Sequence, residues 1–192
     1  MKLLVVSDCE AGFPELPPGH VDLVVSCGDV PADVLERLSV RYQVPLLGVL
    51  GNHDGAVAPA MLRDLHLAVV EQGGVTLGGL EGSWRHKPRG HHLYDEVEVA
   101  ALLADFPRVD VFVAHNPPAG VHDVSDGIHN GFEAFTRYIE SKQPRLFLHG
   151  HVHRRAETVL GKTHVVAIYG AQMLDHDADT ERGLAPGNCS DE

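Results

Sequence analysis

The chain has 192 residues, of which 44% are hydrophobic, and carries a formal net charge of −12 at pH 7. This length and composition favour one globular domain, and the negative charge argues against a protein that holds nucleic acid through a basic surface. No apolar stretch approaches the roughly 18 residues of a membrane span and no secretory leader pattern follows Met1, so we expect a cytoplasmic protein without membrane contacts.

Five short apolar runs end at polar residues that can bind metal ions. In chain order these are 3–6 before Asp8 and Glu10, 23–27 before Asp29, 46–50 before Asn52, His53 and Asp54, 111–114 before His115, and 146–149 before His151 and His153. Continuous apolar runs of this length are typical of strands buried on both faces, and open α/β sheets bind ligands at the carboxyl ends of such strands. We therefore expect the polar residues to converge.

Helices and further strands are predicted between and after these runs. Helices are indicated by apolar residues at helical spacing, strands by β-branched runs, and loops by clusters of glycine, proline and charge. The predicted elements are helices at 31–38, 58–65, 96–103 and 132–141, a strand pair at 67–70 and 75–77 around a glycine turn, a basic histidine-bearing loop at 82–92, and a last strand at 163–169. This order favours a layered α/β domain.

The end of the chain differs in composition from the rest. Residues 175–192 contain six acidic residues and one arginine, with little apolar content. A segment that buries so little is predicted to be a disordered acidic tail. We therefore expect a domain at 1–174 and a tail at 175–192.

The cysteines indicate reduced thiols. Cys9, Cys27 and Cys189 are odd in number, widely spaced and without a C-x-x-C pair. This pattern argues against both a disulfide framework and a structural zinc site. Cys27 is predicted to be a small buried hydrophobic residue rather than a metal ligand.

The polar residues at the run ends are the donors that a pair of divalent cations needs. Two such cations about 3.5 to 4 Å apart can bind a phosphoryl group and activate a water molecule. They require carboxylates and imidazoles, and no thiolate. The chain offers these donors at Asp8, Asp29, Asn52, His115, His151 and His153. We predict that His53 faces the substrate and that Asp54 orients it.

The motifs stand in a fixed order along the chain: Asp8-x-Glu10, Gly28-Asp29, Gly51-Asn52-His53-Asp54, His115 and Gly150-His151-x-His153. This set resembles the calcineurin-like metallophosphoesterase family, and most of all its small single-domain members. The resemblance covers residue 1 to about residue 169. It implies an α/β fold, a four-layer α/β/β/α sandwich, with a dinuclear metal site at the C-terminal ends of the strands.

The resemblance also implies roles for the residues at the site. It places three residues at each metal: Asp8, Asp29 and His153 at one, and Asn52, His115 and His151 at the other. Asp29 would bridge the two metals. His53 would stabilise the transition state or protonate the leaving group.

Glu10 departs from the family pattern, whose first motif is usually Asp-x-His. Strand alternation places Asp8 and Glu10 on one face, so Glu10 reaches the metal if the strand continues that far. In that case the site carries one positive charge fewer, which favours Mn²⁺ or Mg²⁺ over Zn²⁺. In the alternative, Glu10 turns away and water takes its place.

Several neighbouring residues are less specific candidates. His149 is expected to support the metal ligands rather than to bind metal itself. The basic residues Arg85, Lys87 and Arg89 suit a solvated loop, and their functional alternative is a grip on a second phosphate. Loop histidines could border the site, namely His86, His91, His92, His122 and His129.

The resemblance implies a metal-dependent phosphoesterase, with phosphodiesters preferred and in-line attack by a metal-bridging hydroxide. The expected cofactors are two divalent ions, Mn²⁺ first, with Mg²⁺, Fe²⁺, Ni²⁺ or Zn²⁺ as alternatives, and the expected partner is a small phosphoester. A binding scaffold of the same fold and a nuclease are the alternative functions. The presence of His53 argues against the scaffold, and the acidic charge argues against the nuclease.

Overall fold

Two β-sheets pack face to face in the computed structural model, which describes residues 1–9 and 12–176. In chain order the elements are β1 (Lys2–Ser7), β2 (Leu23–Ser26), α1 (Ala32–Tyr42), β3 (Leu46–Gly48), β4 (Arg63–Asp64), β5 (Val69–Gln72), β6 (Val75–Leu80), β7 (Ser83–Trp84), β8 (Leu93–Tyr94), α2 (Glu96–Leu103), β9 (Val111–Ala114), α3 (Glu133–Lys142), β10 (Leu146–His149), β11 (Ala156–Leu160), β12 (Thr163–Ala167) and β13 (Gly170–Asp175).

The strand order explains how distant motifs meet. The first sheet has the order β13-β1-β2-β3-β4, and the second has the order β11-β12-β10-β9-β6-β5. Strands β1, β2 and β3 run parallel to one another, and so do β9 and β10. Their carboxyl ends therefore lie along one edge of each sheet.

Strand alternation divides the apolar side chains between two cores. Leu3 and Val5 of β1 pack into the core between the sheets, together with Val113 of β9. Leu4 and Val6, on the opposite face of β1, pack into the core beneath α1. Because both faces of this strand are covered, its sequence is continuously apolar.

The helices form the two outer layers. Helix α1 buries Leu35 and Leu38 against the first sheet. Helices α2 and α3 cover the second sheet over an aromatic core that includes Phe112, Phe135 and Phe147. The predicted four-layer α/β/β/α sandwich is thus confirmed. In the part of the chain that the structure describes, no helix has both the length and the apolar character required to traverse a bilayer.

Three of the four predicted helices are confirmed, with α1 extending beyond the predicted end at residue 38. The predicted helix at 58–65 is wrong, since this segment forms turns followed by β4, which pairs with β3. Pro59 lacks a backbone N–H and disfavours helical geometry at the preceding residue. Leu62 and Leu65 are both buried, so their helix-like spacing reflects core packing instead.

The fold continues beyond the predicted last strand at 163–169. Strand β12 stops at Ala167, and β13 then runs antiparallel to β1 at the edge of the first sheet. The backbone N–H of His176 donates to the carbonyl of Met1 over 2.8 Å. The predicted tail therefore begins inside β13, and its remainder at 177–192, which includes Cys189, lies outside the described residues.

Two smaller predictions are confirmed. Strands β5 and β6 form the predicted antiparallel pair, and the turn between them places Gly73 and Gly74 at φ of 59° and 78°. These are left-handed values that glycine adopts without steric cost. Cys9 and Cys27 are buried free thiols, and Cys27 packs in the core between the sheets.

Candidate metal centre

Four of the predicted site residues follow strand ends in a left-handed backbone conformation. These non-glycine residues, with positive φ, are Asp8 (53°), Asp29 (53°), His151 (68°) and His153 (48°). Such conformations cost on the order of 1–3 kcal/mol each and persist where the surroundings fix them. The turns after β1, β2 and β10 thus hold these side chains over one edge of the sandwich.

Asp8, Asp29 and His115 form the centre of the site. Each is buried, and each offers one ligand atom within 4.8 Å of the other two. Among the described residues, neither Asp8 Oδ1 nor Asp29 Oδ2 has a well-aligned hydrogen-bond donor, although both are buried and Asp29 Oδ2 lies 3.2 Å from His115 Nε2. Buried carboxylate oxygens require a compensating charge or donor, and oxygen is the ligand that hard divalent cations prefer. The donor set therefore fits a divalent cation.

Each carboxylate is anchored through its other oxygen. The backbone N–H of His53 donates to Asp29 Oδ1 over 2.8 Å, and that of His151 donates to Asp8 Oδ2 over 3.0 Å. The remaining oxygen of each carboxylate is thereby held toward the histidines of the cluster, Asp29 Oδ2 toward His115 and Asp8 Oδ1 toward His153. Anchoring of this kind is what orients ligands around a metal.

Two histidines are oriented by backbone carbonyls. Nδ1 of His115 lies 2.8 Å from the carbonyl oxygen of Cys27, and Nε2 of His151 lies 3.1 Å from that of Ile128. An imidazole nitrogen that donates to a carbonyl leaves the opposite nitrogen as a metal ligand. His115 therefore presents Nε2, which lies 3.2 Å from Oδ1 of Asn52, and His151 presents Nδ1.

The electrostatics of the centre favour a bound positive charge. Burial opposes ionisation of His115, but the carboxylate of Asp29 outweighs it and raises the pKa of this histidine to about 9. Without a metal ion His115 is therefore protonated and itself supplies the positive charge, and a metal ion at Nε2 would replace that proton. Burial also opposes the charge of Asp29, yet His115 lowers the pKa of this carboxyl to about 2. Burial raises the pKa of Asp8 and lowers that of His151 to about 3. His151 is therefore a neutral imidazole, the form that binds metal.

His153 and the neighbouring rings complete the cluster. The half-exposed His153 places Nε2 3.5 Å from Asp8 Oδ1, while the ring of His151 lies 4.9 Å from that of His115. The contacts thus associate His153 with Asp8, and Asn52 and His151 with His115. The assignment of these sets to two separate metals stays a prediction.

His53 and Asp54 stand beside this cluster. Asp54 Oδ2 accepts hydrogen bonds from the backbone N–H groups of Asp29 and Gly51, each over 2.8 Å. Asp54 therefore ties the turn after β2 to the turn after β3, a role that the sequence did not indicate. The exposed side chain of His53 lines a cleft of about 320 Å³ that also reaches Asp29. The predicted roles of His53 toward substrate and of Asp54 toward His53 stay predictions.

Two glycines at strand-end turns allow the backbone to pack closely against Asp29 and Asp8. A Cβ at Gly51 would meet the Asp29 carboxylate and would lie 2.7 Å from the Asp29 backbone nitrogen. A Cβ at Gly150 would meet the Ser7 hydroxyl and would lie 2.6 Å from Asp8 Oδ2. Real Cβ contacts are longer, so only glycine fits at either position.

Residues 1–181 match the family model described as the calcineurin-like phosphoesterase superfamily domain. The chain belongs to this superfamily. Membership supports metal-dependent phosphoester hydrolysis as the general class of activity, with divalent metal ions as cofactors. No curated protein matches the sequence significantly.

Solved structures with the calcineurin-like fold include distant relatives of similar length. TT1561 of Thermus thermophilus is 18% identical, over 86% of this chain and 88% of its own, with a TM-score of 0.57. The phosphopantetheinyl hydrolase PptH of Mycobacterium tuberculosis is 12% identical, over 95% of this chain and 98% of its own, with a TM-score of 0.55. At these identities the likeness shows a shared fold.

His129 borders the cluster. Its ring lies 4.9 Å from that of His151 and 6.2 Å from that of His153. Asp126 Oδ2 lies 2.7 Å from His129 Nδ1, so this carboxylate holds the ring. The sequence indicated His129 only as one of several loop histidines, and the sole further signal is the three-residue spacing to Asp126.

Other candidates lie farther from the ligands. His149 is buried and places Nε2 3.0 Å from Nδ1 of His122, so it belongs to a chain of hydrogen bonds behind the site. Arg85 pairs with Glu98 of α2 over 2.8 Å. Glu10 lies outside the described residues, and its two alternatives stay open.

Proposed function

We propose that this protein is a phosphodiesterase that depends on a dinuclear centre of divalent ions, with Mn²⁺ preferred. The proposal rests above all on the buried oxygens of Asp8 and Asp29, which converge with His115 within 4.8 Å and whose nearby partners among the described residues are imidazoles, His153 at 3.5 Å and His115 at 3.2 Å. Superfamily membership supports the coarser statement, a metal-dependent phosphoester hydrolase. Phosphodiester preference and metal identity go beyond it.

The chain supplies ligands for both ions. Asp8, Asp29 and His153 would hold one ion and Asn52, His115 and His151 the other, with Asp29 shared and Glu10 as an additional candidate. When bound, divalent cations at such a centre neutralise charge on phosphoryl oxygens and make a water molecule a better nucleophile. The residues themselves fix the donors, through the backbone contacts of Asp8, Asp29 and the two buried histidines.

His53 is proposed to act on the leaving group. The attacking water gives one proton to solvent as its oxygen forms a bond to phosphorus, the ester P–O bond breaks, and the leaving oxygen requires a proton. The His53 side chain is exposed in the cleft beside Asp29, where it can donate that proton and release an alcohol. Asp54 holds the backbone beside this cleft by accepting hydrogen bonds from the N–H groups of Asp29 and Gly51.

The expected partner is a small phosphoester, and the cytoplasmic location stays a prediction. The net charge of −12 disfavours nucleic acid as a substrate, because a phosphate backbone would meet repulsion outside the metal site. A small diester carries a single phosphate charge, which two cations can accept. This contrast supports the diester over the nuclease alternative.

Metal analysis combined with turnover tests the proposal. The purified protein should retain two divalent ions per chain and, with added Mn²⁺, hydrolyse bis-p-nitrophenyl phosphate faster than p-nitrophenyl phosphate. Asp29→Asn should lose both metal and activity, whereas Asp105→Asn, a change at an exposed aspartate, should alter neither. Full turnover in Asp29→Asn would contradict the shared site. Tight metal binding without hydrolysis of either ester would favour the scaffold.

A further inference from the structure

The cleft beside His53 has a built apolar lining. Its apolar lining residues are Val30 and Leu50, which are buried, together with Pro31, Val57 and Pro59. Val57 is 81% exposed, so its side chain is available for a ligand. A volume of about 320 Å³ accommodates a group of the size of a benzene ring with its substituents.

Within the part of the chain that the structure describes, the cleft lacks a fixed cation that would hold an anionic group. Asp29 and Asp54 lie on its polar side, next to His53. No lysine or arginine occurs among the described residues that line it. The proposed metal ions would neutralise Asp29, but the described apolar lining offers a carboxylate or a second phosphate no lysine or arginine in exchange for its water. Partial desolvation of such an anionic group in the cleft is therefore costly.

Arg85 of the predicted basic loop at 82–92 does not supply a cation to the cleft. The Arg85 guanidinium donates to Glu98 over 2.8 Å, and Glu98 also accepts from the backbone N–H of Asp95 at the start of α2. Arg85 is therefore engaged at the N-terminus of α2. Its predicted alternative role, a grip on a second phosphate, gains no support from this contact.

We propose that the cleft binds an uncharged apolar group, aryl or short alkyl, attached to the leaving oxygen of the substrate. This inference rests on the proposed function and names its substrate class. His53 lines the same cleft, so an ester oxygen whose carbon substituent fills the cleft lies on the side of the proton donor. The substrate class is thus a phosphoester of an apolar alcohol or phenol rather than one of a polyanionic nucleotide.

Non-hydrolysable phosphonates test the inference without turnover. Calorimetric titration of the Mn²⁺-loaded protein would compare phenylphosphonate, methylphosphonate and carboxyethylphosphonate. Phenylphosphonate should bind about tenfold to a hundredfold more tightly than methylphosphonate, the range that a filled apolar pocket provides. Carboxyethylphosphonate should bind no better than methylphosphonate.

A matched pair of surface variants tests whether the preference for phenylphosphonate arises in this cleft. Val57→Asp places a charge in the cleft, whereas Val97→Asp places one at a valine of similar exposure (78%) on α2. Val57→Asp should abolish the preference for phenylphosphonate and raise KM for bis-p-nitrophenyl phosphate about tenfold or more. Val97→Asp should change neither quantity.

The outcomes separate the two proposals. Equal affinities for phenylphosphonate and methylphosphonate, or a preference that survives in Val57→Asp, would overturn the apolar cleft while leaving phosphoester hydrolysis intact. Selective binding of phenylphosphonate without hydrolysis of any ester would overturn the proposed function and leave the cleft. Failure of all three phosphonates to bind would overturn the apolar cleft, and turnover of bis-p-nitrophenyl phosphate would then decide the proposed function separately.

Discussion

Single residues at the centre are oriented mainly by backbone groups. Asp29 is anchored by the amide of His53, and His115 by the carbonyl of Cys27. A side chain at position 53 can therefore change without loss of the bond that its backbone makes to Asp29. This separation allows the chemical role of His53 to be tested apart from its structural role.

His53→Ala should retain both metal ions and lose turnover. The backbone donor to Asp29 remains, so the ligand geometry is kept, while the proton donor is removed. The expected fall in kcat is about 10² to 10⁴, typical of general acid–base groups. Elemental analysis alongside steady-state kinetics measures both quantities. A parallel loss of metal would identify His53 as a ligand and contradict its assignment as the proton donor.

Variants of Glu10 test how the charge of the metal site affects its metal affinity. If it binds metal, Glu10→His should shift affinity toward Zn²⁺ and away from Mn²⁺, since one negative oxygen donor is replaced by a neutral nitrogen. Glu10→Gln, which keeps the shape but removes the charge, should weaken the binding of Mn²⁺. Competitive metal titrations of the three proteins provide the measurement. Unchanged affinities in both variants would place Glu10 away from the metals.

The sequence indicated the donors better than it indicated what holds them. The structure brings Asp8, Asp29 and His115 together because each follows a buried parallel strand, a pattern visible in the apolar runs. The carbonyls that orient the histidines, such as that of Ile128, belong to the backbone of loops. Any residue type supplies a carbonyl, so its position depends on the tertiary path of the chain and leaves no sequence signal.

At the level of elements, apolar periodicity predicted the strands near the site and failed at the margins of the fold. Strands β1, β2 and β9 are buried on both faces, which gives an unbroken apolar run. Strand β13 lies at the sheet edge with mostly half-buried residues, and residues 58–65 contribute Leu62 and Leu65 to the core from turns. Edge strands and buried turns lack a distinctive period, so the sequence assigned them wrongly or omitted them.

Gly51 and Gly55 both follow β3 and serve as a test position and its control. Gly51→Ala should clash with the Asp29 backbone and carboxylate, whereas Gly55→Ala meets no atom within 4 Å. Overpacking of this kind costs about 1–3 kcal/mol, and each kcal/mol lowers Tm by roughly 2–4 °C in a protein of this size. Thermal unfolding and metal titration of both variants check this, with Gly55→Ala expected to match the parent. Equal behaviour of the two would show that the turn relaxes freely.

At the scale of the whole molecule, the candidate metal centre joins the two sheets. Asp8, Asp29 and Asn52 follow strands of the first sheet, whereas His115 and His151 follow strands of the second. A cation held by both groups would therefore link the layers across their common edge. The same cation would compensate the buried carboxylates, which raise each other's cost of ionisation.

Divalent metal should consequently stabilise the folded protein as well as support activity. A ligand that binds only the folded state contributes about 2.7 kcal/mol at a free concentration of 100 times Kd, which corresponds to a rise in Tm of roughly 5 to 10 °C for a chain of this length. Calorimetric scans with Mn²⁺, and after its removal by a chelator, measure the difference. Asp29→Asn should lose most of this rise although its acidic residues at 177–192 are unchanged. An equal rise in that variant would mean that Mn²⁺ stabilises the protein from another site, and the link between the sheets would have to be abandoned.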